Sequence, residues 1–336
     1  MNDHQWHLER HKSILKKHPE LKQYFHAYPP SMYFLIAVIA LQWIVAYFMI
    51  DLAFWQIGLM AFFFGQFITH AIASFIHEAS HNRIYKSKKG TLFSLAVIEC
   101  GTLSFAKSLE YVAKHNSSHH RYLNEYEKDY EWWDREKVRT LKSKPKWRFI
   151  ESLIHLLPAG TLLTDFLAMK NCKTDKNRDI TRKDPPTWFN WSLISLSSIL
   201  YIVAWLMIGW EAALYLLWSV SLMVGNWGIT FKGQSIAEHD VKKNGKTFST
   251  YGWVNYLFFN TGYHDEHHTF PAVPWIHLPK VRKIAFEDFQ NDSGKDYIGW
   301  WFQWFASGFN PANFNRYRPQ AEETDEKVNP NSLFPN

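Results

Sequence analysis

Two long stretches of this chain carry no lysine or arginine, and they restrict its possible folds more than any other feature. Residues 31–76 hold Asp51 as their only formal charge, and residues 187–231 hold only Glu211. Each stretch divides at that acid into two apolar runs: Met32 to Ile50 and Leu52 to Ile76, then Phe189 to Gly209 and Ala212 to Phe231. A helix needs about 20 apolar residues to cross a hydrocarbon core about 30 Å thick. A helix at the surface of a soluble protein shows a polar stripe, and these runs show none. The expectation is an all-α membrane protein with four transmembrane helices in two hairpins. The spans fall at about 32–50, 52–76, 189–209 and 212–231, with Asp51 in the first turn.

Mean hydropathy is mildly negative, which would suit a soluble protein, but the average hides how the apolar residues are grouped. The 17 Trp and 26 Phe fit a chain with interfacial aromatic belts. The net charge of +6 is concentrated between the apolar blocks: Arg10, Lys12, Lys16, Lys17 and Lys22 before the first, Arg83 to Lys183 between them, and the segment after Lys232. Positive charge marks the cytoplasmic side, so both termini and the central segment are expected there. A membrane surface suits this arrangement better than nucleic acid does. Cys100 and Cys172 have no metal-binding or redox spacing, which predicts no disulfide framework and a reducing compartment. The N-terminus has no signal-peptide pattern and no myristoylation glycine.

Leu92 to Ala106 (with Glu99) and Ile150 to Met169 (with Glu151, His155, Pro158 and Asp165) are too short or too polar to cross. They are expected as interfacial or re-entrant helices lying against a cytosolic cap. Tyr251 to Tyr263 is also too short to cross. The chain then divides into a cytosolic amphipathic N-terminal segment (1–30), a main domain (31–318) and a polar tail (319–336) expected to be disordered.

Of 17 histidines, nine fall into an ordered constellation. The first cluster is His77-Glu-Ala-Ser-His81, directly after the second span. Residues i and i+4 share a helix face, so both rings can reach one metal. This cluster also fits the zinc-protease pattern His-Glu-x-x-His. A protease zinc needs one further ligand, whereas this chain supplies many. The second cluster is His115-Asn-Ser-Ser-His119-His120, and the third is His264-Asp-Glu-His267-His268. Adjacent helical histidines point about 100° apart and can serve two metals or bridge the two halves of a site. His239 follows the fourth span and is the ninth candidate. With four crossings, all nine emerge on the cytoplasmic side. So many neutral nitrogens exceed the demand of one ion, which predicts a dinuclear centre. Imidazole suits several metals, and iron is the one that can activate dioxygen where zinc cannot. Glu78 and Glu266, inside the clusters, are candidates to accept the outer N–H of a ligating ring.

At these residues the chain resembles the membrane fatty-acid desaturase superfamily, from about residue 30 to about 290. Three histidine clusters in order, separated by paired spans, carry the resemblance. Asn260-Thr-Gly-Tyr-His-Asp-Glu-His-His-Thr-Phe-Pro271 looks like the third cluster of sphingolipid delta-4 desaturases and related bacterial enzymes. Pro274-Trp275, Leu278-Pro279, Val281-Arg282 and His119-His-Arg-Tyr-Leu123 also match that group. Three features depart from it: the second cluster is one residue longer, the myristoylation signal is missing, and residue 269 is Thr. The longer cluster resembles front-end acyl desaturases and alkane hydroxylases, so acyl and sphingoid chains both stay open as substrates.

The resemblance implies four membrane helices under a cytosolic helical cap holding two irons, with His239 as the extra ligand. It implies dioxygen-dependent double-bond formation in a lipid chain, or hydroxylation on the same centre. Electrons would come from a separate donor, a ferredoxin or a b-type cytochrome with its reductase, since no Gly-x-Gly-x-x-Gly dinucleotide motif is present. A metal transporter is the rival from another class. It would place its ligands inside the spans, where this chain has only His70. The absence of an endoplasmic-reticulum retention ending favours a bacterial inner membrane over the endoplasmic reticulum.

Overall fold

A computed structural model describes residues 3–132, 145–171, 178–239 and 247–314. These residues are all-α, and the only β pairing among them is an isolated bridge between Ser249 and Asp292. The tail expected to be disordered lies outside them, as does Cys172.

The apolar runs become helices close to their predicted limits. Helix α1 (Asp3–Lys17) precedes α2 (Ser31–Tyr47), and α3 runs from Phe54 to Ser80. Asp51 stands at φ 64° in the turn between α2 and α3. An acidic side chain tolerates that left-handed backbone better than the apolar residues around it. Among the described residues three stretches are long and apolar enough to cross a membrane: α3 over 27 residues, Thr187–Met207 over 21 and Trp210–His239 over 30. Helix α2 is equally apolar but has 17 residues. The outward side chains of these helices are large and apolar, among them Ile44, Tyr47, Trp191, Trp205, Leu206 and Met207. In water such a surface would aggregate, whereas lipid solvates it.

Helix α4 (Lys88–Thr102) covers most of the stretch expected at the interface. It packs Leu95 and Ile98 against Leu35 of α2, Ile72 and Phe75 of α3, and Leu193 of the Thr187–Met207 helix. Its outer side still exposes Phe93. Glu99, the charge inside this stretch, is fully buried. Its carboxylate accepts from Ser197 Oγ at 2.5 Å, Ser104 Oγ at 3.1 Å and the Ala106 N–H at 3.2 Å. Those bonds hold a turn in which Leu103, Phe105 and Ala106 all have positive φ. The turn leads into α5 (Lys107–Lys114). The stretch around Pro158 forms two short helices, α6 (Pro145–Ile154) and α7 (Gly160–Asn171), and neither is long enough to cross.

Thr187–Met207 is α8. The last long stretch divides at residues 225–228 into α9 (Trp210–Val224) and α10 (Ile229–His239). After α10 come α11 (His264–Thr269), α12 (Leu278–Ile284) and α13 (Tyr297–Ala306). Helix α13 lies against α10, with Tyr297, Trp300 and Trp304 buried in an aromatic cluster. Gly233 permits this approach, because a Cβ there would fall 1.8 Å from the Tyr297 carbonyl oxygen. A backbone atom cannot swing aside, so Gly233→Ala must separate the two helices. The expected loss is at least about 1–3 kcal/mol, seen as a lower unfolding temperature in detergent. An unchanged melting curve would show that the contact is slack.

Candidate metal centre

All nine predicted histidines meet in one region, six of them buried and His77, His81 and His120 half-buried. Their ring nitrogens form two groups, each with ligand atoms within 4.8 Å of one another. His77, His81, His115, His120 and His267 make the first group, and His119, His239, His264 and His268 make the second. In the first and third clusters the grouping follows α-helix spacing. His77 and His81 sit one turn apart near the end of α3 and share a group. His264 and His268 stand in the same relation on α11, while His267 faces the other group. His239 closes α10.

The second cluster departs from α-helical arithmetic. Residues His115–His119 form a single π-turn, closed by the His120 N–H donating to the His115 carbonyl at 3.0 Å. In an α-helix His115 and His120 would point about 140° apart. The i→i+5 turn puts them on one face instead and directs His119 to the other group.

The nitrogen spacings would suit ligands around a metal ion. His267 Nε2 lies 3.1 Å from both His81 Nε2 and His120 Nε2, and His120 Nε2 lies 3.1 Å from His115 Nε2. In the second group His264 Nε2 is 2.8 Å from His239 Nε2, and His119 Nε2 is 3.3 Å from His268 Nε2. A neutral ring nitrogen donates at most one proton, so hydrogen bonding cannot account for His267 Nε2 facing two others. Metal–nitrogen bonds of about 2.1 Å at angles of about 90–100° give separations near 3 Å. His77 Nε2 is buried with no hydrogen-bond partner, a nitrogen held ready for a cation. Burial, with neighbouring imidazoles adding to it, holds His81, His120, His264, His267 and His268 well below the usual imidazole range. Burial lowers His115 to about 4. Rings this reluctant to protonate present lone pairs at neutral pH, which is the ligating form.

Of the carboxylates inside the clusters, Glu78 lies with Oε1 4.0 Å from His77 Nδ1, too far for a hydrogen bond. Glu78 Oε2 accepts the Trp275 N–H at 3.2 Å and anchors the segment after α11. Glu266 accepts from Ser249 Oγ at 2.6 Å and Tyr251 OH at 2.7 Å. Burial, then the nearby Asp265 charge, raises its carboxyl to about 7. Glu78 thus holds the backbone at Trp275, and Glu266 holds the side chains of Ser249 and Tyr251. The ring nitrogens find other carboxylates: Asp129 Oδ1 lies 3.0 Å from His119 Nδ1, and Glu238 Oε1 lies 3.4 Å from His264 Nδ1. Glu238 in turn accepts from Gln234 Nε2 at 2.7 Å, and Gln234 Oε1 lies 2.7 Å from His70 Nε2. A polar chain therefore runs from inside α3 to the second group. Sequence reading missed Asp129, although the acidic run Glu125-Tyr-Glu-Lys-Asp-Tyr-Glu131 follows the second cluster closely enough to have signalled it.

A cavity of about 340 Å³ opens beside the histidines and is lined by His77, His115, His264 and Tyr111. Its wall combines apolar Met223, Val224 and Phe231 with polar Thr102, Ser104 and Thr261. A larger apolar cavity of about 440 Å³ lies along α8 and α9 and is lined by none of the nine histidines.

Residues 53–304 match the fatty acid desaturase family model. The chain is 28% identical to a protein of Oryza sativa named as sphingolipid delta(4)-desaturase-like, over 88% of this chain and 83% of the relative. It is 30% identical to a sphingolipid delta(4)-desaturase of Xenopus tropicalis, over 84% and 82%. It is 30% identical to the human sphingolipid delta(4)-desaturase/C4-monooxygenase, again over 84% and 82%. No solved structure matches the chain. The apolar helices, the histidine constellation and these relatives agree: the chain belongs to the fatty acid desaturase family and is a membrane oxidoreductase acting on lipid.

Proposed function

We propose that the protein is a dioxygen-dependent diiron desaturase that introduces a double bond into a sphingoid or acyl chain. The convergence of nine imidazoles in groups of five and four carries this reading. Two bound irons would supply, with dioxygen and two electrons, an oxidant able to take hydrogens from an unactivated methylene. The balance is one saturated chain, dioxygen, two electrons and two protons giving one alkene and two waters.

The protein's own part is to hold, orient and exclude. His77, His81, His115, His120 and His267 would hold one ion, and His119, His239, His264 and His268 the other. Asp129 and Glu238 keep the proton of His119 and His264 on Nδ1, which leaves Nε2 free to bind metal. Burial of His115, His119, His239, His264, His267 and His268 keeps bulk water from most of the shell. The mixed lining of the 340 Å³ cavity suits a lipid whose polar end lies close to the reacting carbons. That favours the sphingoid chain, in line with the names of the relatives.

In the membrane, α2 with α3 and α8 with α9 would form two hairpins, bringing all nine histidines and both termini to the cytoplasmic face. Residues 31–318 would make the working domain. Electrons would come from a separate acidic donor, a ferredoxin or a b-type cytochrome with its reductase, drawn to the basic cytoplasmic face.

Hydroxylation at the same centre is the second reading, favoured by the human relative named as both desaturase and C4-monooxygenase. The test supplies purified, iron-loaded protein with dioxygen, a reducing system and a saturated sphingoid lipid or acyl substrate. Loss of two hydrogens from the product is expected. Gain of one oxygen would establish the hydroxylase, and substrate unchanged under both feeds would overturn the proposal.

A further inference from the structure

Glu131 is the one acid among the described residues that approaches ring nitrogens of both histidine groups. Its Oε1 lies 3.7 Å from His119 Nε2 and 3.8 Å from His115 Nδ1, and its Oε2 lies 3.8 Å from His239 Nε2. These separations are too long for hydrogen bonds. They leave room for a shared ion: two donors each about 2.1 Å from one ion can lie up to about 4.2 Å apart.

Which nitrogens Glu131 faces decides which ion it would reach. Nε2 of His119 faces His268, and Nε2 of His239 faces His264, so both are the inward atoms of the four-histidine group. His115 turns Nε2 toward His120, and Glu131 meets only its outer nitrogen. The carboxylate thus stands in front of the second group and behind a member of the first.

Its position is built by the surrounding chain. The Glu131 N–H donates to Asp129 Oδ1 at 3.1 Å. The Arg178 guanidinium binds the carbonyls of Tyr126, Asp129 and Trp132. Ser118, inside the π-turn, bonds Lys128 O and Tyr130 N. The segment carrying Glu131 is therefore strapped to the segment carrying His119. Charge points the same way: neutral imidazoles offset none of the charge of two dications, Asp129 and Glu238 stand behind the rings, and an anionic oxygen in direct reach of an ion would offset more of it.

We infer that Glu131 is an oxygen ligand to the ion held by His119, His239, His264 and His268. It raises that set to five donors and equals the five histidines of the other group. Because Glu131 also lines the cavity, this oxygen stands on the substrate side of the centre. The inference rests on the dinuclear reading proposed above.

The experiment titrates full-length, detergent-solubilised apoprotein with cobalt(II) and with ferrous iron, comparing wild type, Glu131→Gln and Glu131→Asp. Cobalt reports its donors through its visible bands. Wild type should take up two ions. Glu131→Gln should keep the affinity of one ion, bind the other at least about tenfold more weakly, and change the bands of that ion alone. Glu131→Asp, with its charge on a shorter arm, should fall between. Equal unfolding temperatures of the metal-free wild type and Glu131→Gln would tie the loss to binding. If Glu131→Gln does not fold, Glu131→Asp is read by the same criterion. Two ions bound with wild-type affinity and unchanged bands would overturn the ligand assignment and leave the dinuclear centre standing. One ion or none in wild type would overturn the centre itself.

Discussion

His267→Ala is expected to lower bound iron from two ions per chain to about one and to bring turnover below detection. His267 Nε2 lies 3.1 Å from two other ring nitrogens of the first group, His81 Nε2 and His120 Nε2. Its loss opens the shell where two other nitrogens converge, and no described carboxylate stands beside it to compensate. His119→Ala should do the same to the second ion, because His119 Nε2 is 3.3 Å from His268 Nε2 and belongs to the four-histidine group. The pair makes a sharper test than either variant alone. Each should spare the ion that the other removes, so the double variant should bind almost none. Metal content by elemental analysis and ferrous Mössbauer spectra separate the two sites without relying on turnover. Two irons retained in both variants would mean that these rings are structural. A single zinc in wild type would return the His77-Glu-x-x-His81 pattern to its protease reading.

The nine histidines were legible because helix periodicity is a local property: the i and i+4 spacing at His77 and His81, and at His264 and His268, holds wherever the helix sits. What was not legible depends on hydrogen bonding or packing between distant segments. The π-turn at residues 115–119 changes which rings share a group, and its signature is one backbone bond from His120 to His115. Glu78 and Glu266 lie beside the clusters in sequence, yet their carboxylates bond Trp275, Ser249 and Tyr251. The outer partners of the rings, Asp129 and Glu238, are chosen by the fold. Apolar runs located the long helices well. They did not reveal the division of the last one at residues 225–228, because Gly225-Asn-Trp-Gly228 is itself without formal charge. Nor did they reveal that α4 would pack between α2, α3 and α8. Burying Glu99 there depends on Ser104 and Ser197, and Ser197 lies 98 residues away.

The largest stability effect should come from Arg10, in the segment that sequence reading set apart as 1–30. Helix α1 docks on the second and third histidine clusters: His4 Nδ1 lies 2.8 Å from the His120 carbonyl, and His11 Nδ1 lies 2.8 Å from that of Thr269. At the centre of this contact Arg10 Nη1 donates to Asp265 Oδ1 at 2.7 Å, and its other Nη bonds the Asp288 carbonyl. Asp265 is completely buried, and Thr247 Oγ1 also donates to it at 2.7 Å. Arg10→Ala leaves that carboxylate in place without its cation, a change that destabilises by about 3–5 kcal/mol. Asp265 sits between His264 and Glu266 on α11, so the damage should reach the metal centre. Iron should then be lost to a chelator faster than from wild type, and the unfolding temperature should fall. Removing both charges separates the cause from simple loss of packing. Arg10→Met with Asp265→Asn keeps side chains of similar length and leaves no buried charge unpaired, so it should recover most of the lost stability. If the double variant is as unstable as Arg10→Ala, the arginine acts through its packing against Trp6 and Phe289, whose rings lie 4.7 Å and 4.4 Å from its guanidinium carbon. In that outcome α1 is held by aromatic contact and the ion pair adds little.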